Sequence, residues 1–179
     1  MSDRAQPVLE AQGSVTLRPW APTDAATVME AFREPSIQQW HMRRLDTRDE
    51  TLAWIEAWHD RWRAESDASW AITTTDGATF LGYIALRSVD LEFGYAEVTY
   101  WILPAFRGRG VATHACLAVA DWAFAGLGLH RLEVRHSTAN AASCRVATKA
   151  GFEPEGTMRS ALLHADGWHD MHVHSRIGK

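Results

Sequence analysis

The stretch AFRGRGVATHA, residues 105–115, alternates two arginines with two glycines and then runs directly into small, helix-forming residues. Residues 96–103 precede it, rich in the β-branched and aromatic residues of a strand, and Pro104 ends that run. From residue 110 to about 125 the chain is helical by length and composition and apolar round most of its circumference, so the helix is expected to be buried. A strand, a tight glycine loop and a helix start form an anion-binding arrangement. The first four helical N–H groups lack intrahelical partners, and the positive end of the dipole points outward. Gly108 and Gly110 leave the backbone open to a phosphate, Arg107 and Arg109 add charge and donors, and Thr113 adds a hydroxyl. The spacing fits neither G-x-x-x-x-G-K-[ST] nor G-x-G-x-x-G, which weakens nucleotide hydrolase and dehydrogenase readings. The competing reading is a solvated connection whose glycines only turn the chain, and the wider sequence decides between the two.

Working outward, residues 14–18 alternate as a short strand, and Pro19 and Pro22 end it before Thr23 caps a helix over about 24–34. PSIQQWHMRRLD reads as loop. Thr47-Arg48-Asp49-Glu50 is a capping box opening a helix over about 48–65, whose Leu52, Trp54, Ile55, Trp58 and Trp62 share an arc of about 160°. That face reads as core packing with one tryptophan edge lining a pocket. Residues 69–75 and 79–89 pair across the Asp76-Gly77 turn, and 130–136 alternate as a strand. Asn140 suits the N-cap of a helix through Lys149 that Gly151 closes, and a hairpin of 152–163 and 168–177 turns at Ala165-Asp166-Gly167. The order βααβββαβαββ, with mostly tight connections, predicts a mixed and mainly antiparallel sheet with helices on its faces.

Composition narrows the function classes. With 179 residues, 46% hydrophobic and 22% charged, the chain reads as one globular domain over 14–179 behind a flexible lead at 1–13. No apolar run reaches bilayer length and the start is too polar for a signal peptide, so a cytoplasmic protein without membrane contact is expected. A net charge of −4 disfavours nonspecific nucleic-acid binding. Cys116 and Cys144 form no C-x-x-C pair and read as small core residues, so neither a disulfide framework nor a thiolate metal site is expected. Nine tryptophans, five of them between residues 40 and 70, imply a buried aromatic layer or an exposed aromatic wall.

Arg107-Gly108-Arg109-Gly110-Val111-Ala112 resembles the [Q/R]-x-x-G-x-[G/A] motif of the GNAT superfamily of acyltransferases, placed as there between a strand and a long helix. Asn140-x-x-Ser143 and Lys149-Ala150-Gly151-Phe152 look like that family's second cofactor-side motif. The run through Glu153-Pro154-Glu155-Gly156, Arg159, Asp166-Gly167 and Asp170 is similar to the ribosomal-protein N-terminal acetyltransferases of the RimJ/RimL type. The resemblance covers roughly residues 14–177. It implies the GNAT fold, an α+β (mixed α/β) architecture with a seven-stranded, mostly antiparallel twisted sheet and about four helices on its faces.

The implied activity is acetyl transfer from acetyl-CoA to a primary amine by direct attack in a ternary complex, with no metal. The backbone of Arg107, Gly108, Arg109, Gly110, Val111, Ala112 and Thr113 would cradle the pyrophosphate. Ile102 and Leu103 would pair with the pantetheine arm, and Asn140 and Ser143 would bind it from the other side. Glu97 is the implied base through water, with Tyr95, Thr99 and Trp101 as an apolar surround; a strand carboxylate paired with an arginine is the alternative. Glu92, Glu133 and His136 are weaker candidates. Ala147 stands where many relatives carry a tyrosine acid, which leaves Ser143 as donor or positioner and a first-turn helix serine as its alternative role. Trp40, His41 and the final hairpin are candidate acceptor walls. The acceptor is an amine, a protein N-terminus or a small molecule, and a homodimer is a candidate assembly. Three other readings stand beside this one: a silent acyl-CoA-binding module, a transferase of another acyl group such as succinyl, and a metal-binding or sensing domain suggested by His164, His169, His172 and His174, of which the last two share a strand face.

Overall fold

The computed structural model describes residues 1 and 4–178; the expectations for residues 2, 3 and 179 lie outside the described residues. The strands are β1 (Leu9–Ala11), β2 (Val15–Arg18), β3 (Ala68–Thr74), β4 (Phe80–Asp90), β5 (Tyr95–Ile102), β6 (Arg131–Ser137), β7 (Glu153–His164) and β8 (Gly167–Ile177). The helices are α1 (Ala25–Ala31), α2 (Pro35–Gln38), α3 (Arg48–Arg63), α4 (Val111–Leu127) and α5 (Ala141–Lys149). One sheet runs β1-β2-β3-β4-β5-β6-β8-β7, antiparallel at every junction except β5–β6. The mixed, mainly antiparallel α+β class is as expected, while the counts among the described residues become eight strands and five helices.

Both additions are short. β1 pairs with β2 in the register Leu9↔Leu17, so part of the expected flexible lead is a strand. The Trp62 and Trp70 indoles donate to the carbonyls of Arg4 and Pro7, at 3.1 and 2.8 Å, and tie the lead to the core. α2 replaces the first turn of the expected loop: Pro35 sits at its first position, and the Glu34 carboxylate accepts from the Ser36 N–H.

Period-2 alternation sends the sheet's side chains to two cores. Trp70, Ile72, Ile84, Leu86 and Val98 face α4, whose Ala115, Cys116, Val119 and Ala120 are buried against them. Ala71, Tyr83, Ala85 and Trp101 face the other way and meet Trp20, Phe32, Trp54 and Trp58. The tryptophan face of α3 is therefore divided. Trp54 and Trp58 enter the second core, whereas Trp62 joins the first by stacking on Trp122 at 6.1 Å between ring centres. All three are packing residues rather than an exposed wall.

The feature that positions the site is a split in the sheet. β5 and β6 pair only at residues 95–97 and 131–133, then part. The outer edge of β5 beyond that point faces α5 across a gap, and the start of α4 closes one end of it.

Candidate active site

Gly108 and Gly110 take φ values of 75° and 80°, the left-handed region that glycine enters without a Cβ penalty. Space around Gly108 is open, whereas a Cβ on Gly110 would lie 3.1 Å from His114 Cε1. Gly110 is the N-cap of α4 and no side chain caps that helix, so its first N–H groups point into a cavity of about 310 Å³. Arg107, Gly108, Gly110, Val111, Ala112 and Thr113 line the cavity from this side, Ile102 and Tyr100 from β5, and Asn140 and Ser143 from α5. Two of the expected cofactor residues stand apart. Leu103 donates its N–H to the Leu81 carbonyl and accepts from the Phe106 N–H, both at 2.9 Å, so its backbone serves β4 and the turn instead of the gap. Arg109 lies over the Phe106 ring at 5.6 Å. Arg107 lines the cavity but also donates Nε to the Ile102 carbonyl at 2.9 Å, fixing the open end of β5.

Asn140 is the N-cap of α5, and its Oδ1 accepts the Ser143 N–H at 3.1 Å. The Ser143 hydroxyl is 2.7 Å from the Tyr100 hydroxyl. Burial pushes the Tyr100 phenol well above its ordinary range, so it remains protonated and can donate. Tyr100 escaped the sequence reading, because its partner lies 43 residues away on another element. The available signal was its place on β5, two residues before Ile102 on the same face.

A second cavity of about 310 Å³ adjoins the first and shares Trp40, His41, Tyr100 and Ser143 with it. Glu97, Arg87 and Arg135 line its polar side, and Leu162, His164 and Met171 bring in the last hairpin. The hairpin is held there by a polar tie: Ser137 Oγ lies 2.6 Å from His169 Nδ1, and His169 Nε2 lies 2.9 Å from Asp166. Trp40 packs edge-on against His164 and His169. Burial, and then the neighbouring His164, lower the pKa of His41 to about 4, so its imidazole is neutral at neutral pH.

Glu97 and Glu133 are register neighbours on β5 and β6, and their surroundings drive them apart. Burial of Glu133 is outweighed by donors, with Arg131 and Arg135 both at 2.7 Å and the Tyr95 hydroxyl at 3.0 Å, so its pKa is lowered. Burial dominates at Glu97 and raises its pKa. The nearest guanidinium nitrogen, Nη1 of Arg135, is 3.9 Å away, and two other nitrogens of that group are committed to Glu133. The expected surround is accordingly different: Tyr95 serves Glu133, and Trp101 belongs to the second core. Among neighbouring carboxylates separated in this way, the one with the raised pKa is suited to accept a proton.

The remaining weaker candidates are engaged differently. The Glu92 N–H turns onto the Asp90 carboxylate at 3.0 Å. His136 is buried beside His172 and His174 and also lines the second cavity with Glu97. Cys116 is a buried core residue as expected, but Cys144 is only half-buried and its Sγ sits 3.9 Å from His174 Nε2.

Residues 14–153 match the acetyltransferase (GNAT) domain family. The chain belongs to the GNAT family. It is 29% identical over 170 residues, 91% of each chain, to the Bacillus subtilis (strain 168) protein named "Putative ribosomal N-acetyltransferase YdaF". It superposes on Mycobacterium smegmatis RimJ in complex with CoA-disulfide with a TM-score of 0.85 at 24% identity, over 96% of this chain and 86% of that one. For RimL, the ribosomal L7/L12 alpha-N-protein acetyltransferase in complex with coenzyme A, the TM-score is 0.84 at 19% identity, over 96% and 98% of the two chains. This GNAT protein is thus an acyl-CoA-dependent N-acetyltransferase that uses acetyl-CoA to acetylate an amine. No helix among its described residues is long and apolar enough to cross a membrane.

In GNAT terms the departure at position 147 has a physical counterpart. Ala147 is fully buried on the core face of α5, while a phenol reaches Ser143 from β5 instead.

Proposed function

We propose that this acetyltransferase acts on the α-amine of a protein N-terminus, with Glu97 as base and Ser143, backed by Tyr100, at the departing sulfur. The observation that carries the reading is the separation of Glu97 from Glu133, which leaves one buried carboxylate poised to take a proton beside one held ionised by two arginines. The acetyl-CoA pyrophosphate lies on the uncapped start of α4, around Arg107, Gly108, Gly110, Val111, Ala112 and Thr113. The pantetheine arm follows the gap between β5 at Ile102 and α5 at Asn140. This brings the thioester to Tyr100 and Ser143, where the two cavities meet.

The acceptor enters from the Glu97 side, between Trp40, His41 and the last hairpin. Its neutral nitrogen attacks the thioester carbon, the C–N bond forms and the C–S bond breaks. The amine proton passes through water to Glu97, and the thiolate takes a hydrogen bond from Ser143, whose own oxygen accepts from Tyr100. Arg87 and Arg135, the arginines at this end, are already engaged by Asp67 at 2.7 Å and Glu133 at 2.7 Å, which supports an uncharged acetyl group over succinyl.

The test is mass spectrometry of a panel of N-terminal peptides and small amines incubated with enzyme and either acetyl-CoA or succinyl-CoA. Acetylation confined to peptide α-amines is expected. Coenzyme A binding without turnover on any amine, or equal transfer of succinyl, would overturn the reading.

A further inference from the structure

The antiparallel register of β6 and β8 sets His136 opposite His172, and His174 lies two residues along β8 on the same face. α5 crosses that face and lays Cys144 on it, with Sγ 3.9 Å from His174 Nε2. One donor atom from each of His136, Cys144, His172 and His174 lies within 4.8 Å of every other. We propose that these four side chains bind one zinc ion.

The polar atoms under α5 are arranged for a ligand. His136 is 4% exposed, and its Nδ1 lies 2.9 Å from the Ser137 carbonyl, an oxygen that only accepts. Nδ1 therefore carries the hydrogen, and Nε2 of the neutral ring presents a lone pair. That Nε2 is buried and has no hydrogen-bond partner. A backbone carbonyl fixing the tautomer of a histidine is the outer-sphere arrangement found behind metal-bound imidazoles. His174, 1% exposed, turns Nε2 toward Cys144 and keeps Nδ1 buried without a partner. A buried polar atom without a partner is costly, and a shared cation satisfies His136 Nε2 directly.

The donor set selects the metal. One thiol and three imidazoles, with no carboxylate among them, suit zinc and exclude the oxygen-seeking magnesium and calcium. Zinc bonds of about 2.0–2.1 Å to nitrogen and about 2.3 Å to sulfur hold tetrahedral donors roughly 3.3–3.6 Å apart, so the set closes by about an ångström on binding. Cys144 and His172, both half-buried, have the freedom to make that movement. Binding releases one proton, from the Cys144 thiol, since the imidazoles bind in their neutral form. Four protein donors complete the tetrahedron and leave no position for substrate, which makes the ion structural. It ties α5 to β6 and β8 one residue from Ser143, and so steadies the helix that presents Asn140 and Ser143 to the gap.

The untagged full chain, stripped with chelator, is titrated with cobalt(II) and then zinc(II) chloride. One cobalt per chain is expected, with the near-ultraviolet thiolate charge-transfer band and intense visible bands of tetrahedral cobalt, all displaced by zinc. Cys144→Ser removes the charge-transfer band and His172→Ala weakens zinc binding at least tenfold. Both variants keep the native far-ultraviolet circular dichroism, which separates lost ligation from lost folding. Zinc raises the melting temperature of the native chain and a chelator reverses the rise. Less than a tenth of an equivalent of bound cobalt, an octahedral spectrum, or zinc affinity unchanged in both variants would overturn the site.

Discussion

Glu97 can accept a proton because its nearest cation is already occupied. Arg135 gives its short bonds to Glu133 and stands 3.9 Å from Glu97, so burial prevails and the Glu97 carboxyl is harder to ionise than an ordinary one. Glu97→Gln keeps the shape and removes the proposed base. A fall in kcat of about 10²-fold or more is expected, with acetyl-CoA affinity within twofold of native by calorimetry. At Tyr100 the issue is a single hydrogen bond. Tyr100→Phe leaves Ser143 Oγ without its donor, and kcat is expected to fall by up to about tenfold with KM for acetyl-CoA little changed, read from steady-state kinetics. The place of Glu97 on the strand before the glycine loop was legible in the sequence. Its contrast with Glu133 was not, because that depends on which of two parallel strands receives the guanidinium groups. Tyr100 was hidden for the same reason, as was the role of Cys144, whose neighbours come from β8.

Among the elements, those with a full period or a cap were legible. Thr47 and Glu50 form the capping box read from the sequence, with the Glu50 N–H donating to Thr47 Oγ1 at 3.2 Å and the Thr47 N–H donating to the Glu50 carboxylate at 3.1 Å. β1 and α2, of three and four residues, are too short to show a period and are fixed by pairing and by Pro35. The start of α4 joins element to function. Gly110→Ala forces a left-handed φ on a residue with a Cβ, at a cost of about 1–2 kcal/mol, and presses on His114. The expected result is a lower unfolding midpoint together with a raised KM for acetyl-CoA, whereas KM for the acceptor stays near native. A variant in which both constants rise equally would show that the loop supports the whole gap instead of the cofactor end.

Across the whole molecule, the far edge of the sheet is bound by charge. Arg131 of β6 holds Glu133 and also Glu155 of β7, and Glu155 accepts from Ser175 of β8. These bonds hold Glu155 down to about 2, far below the usual carboxylate range. A carboxylate depressed on folding contributes stability that is complete above its ordinary pKa and disappears as pH falls through the folded value. The stability difference between native protein and Glu155→Gln, read from urea unfolding, is therefore expected to be constant above about pH 5 and to vanish toward pH 2. At this scale the cavity at the start of α4 was legible because its motifs are local in sequence, apart from Leu103 and Arg109, which stand outside it. The acceptor side was less so, since it is assembled from the segment at Trp40 and His41, two diverging strands and the last hairpin.

The central claim, that Glu97 takes the proton of the attacking amine, is tested most directly by the pH dependence of kcat/KM for an N-terminal peptide in the native enzyme and in Glu97→Gln. Below the α-amine pKa of about 7.7–8.0, log kcat/KM falls with slope 1 as the amine protonates. In the native enzyme it is expected to steepen to slope 2 as pH passes below the raised pKa of Glu97. The variant is expected to run lower and to hold slope 1 throughout. Superimposable profiles at equal rates would contradict the assignment.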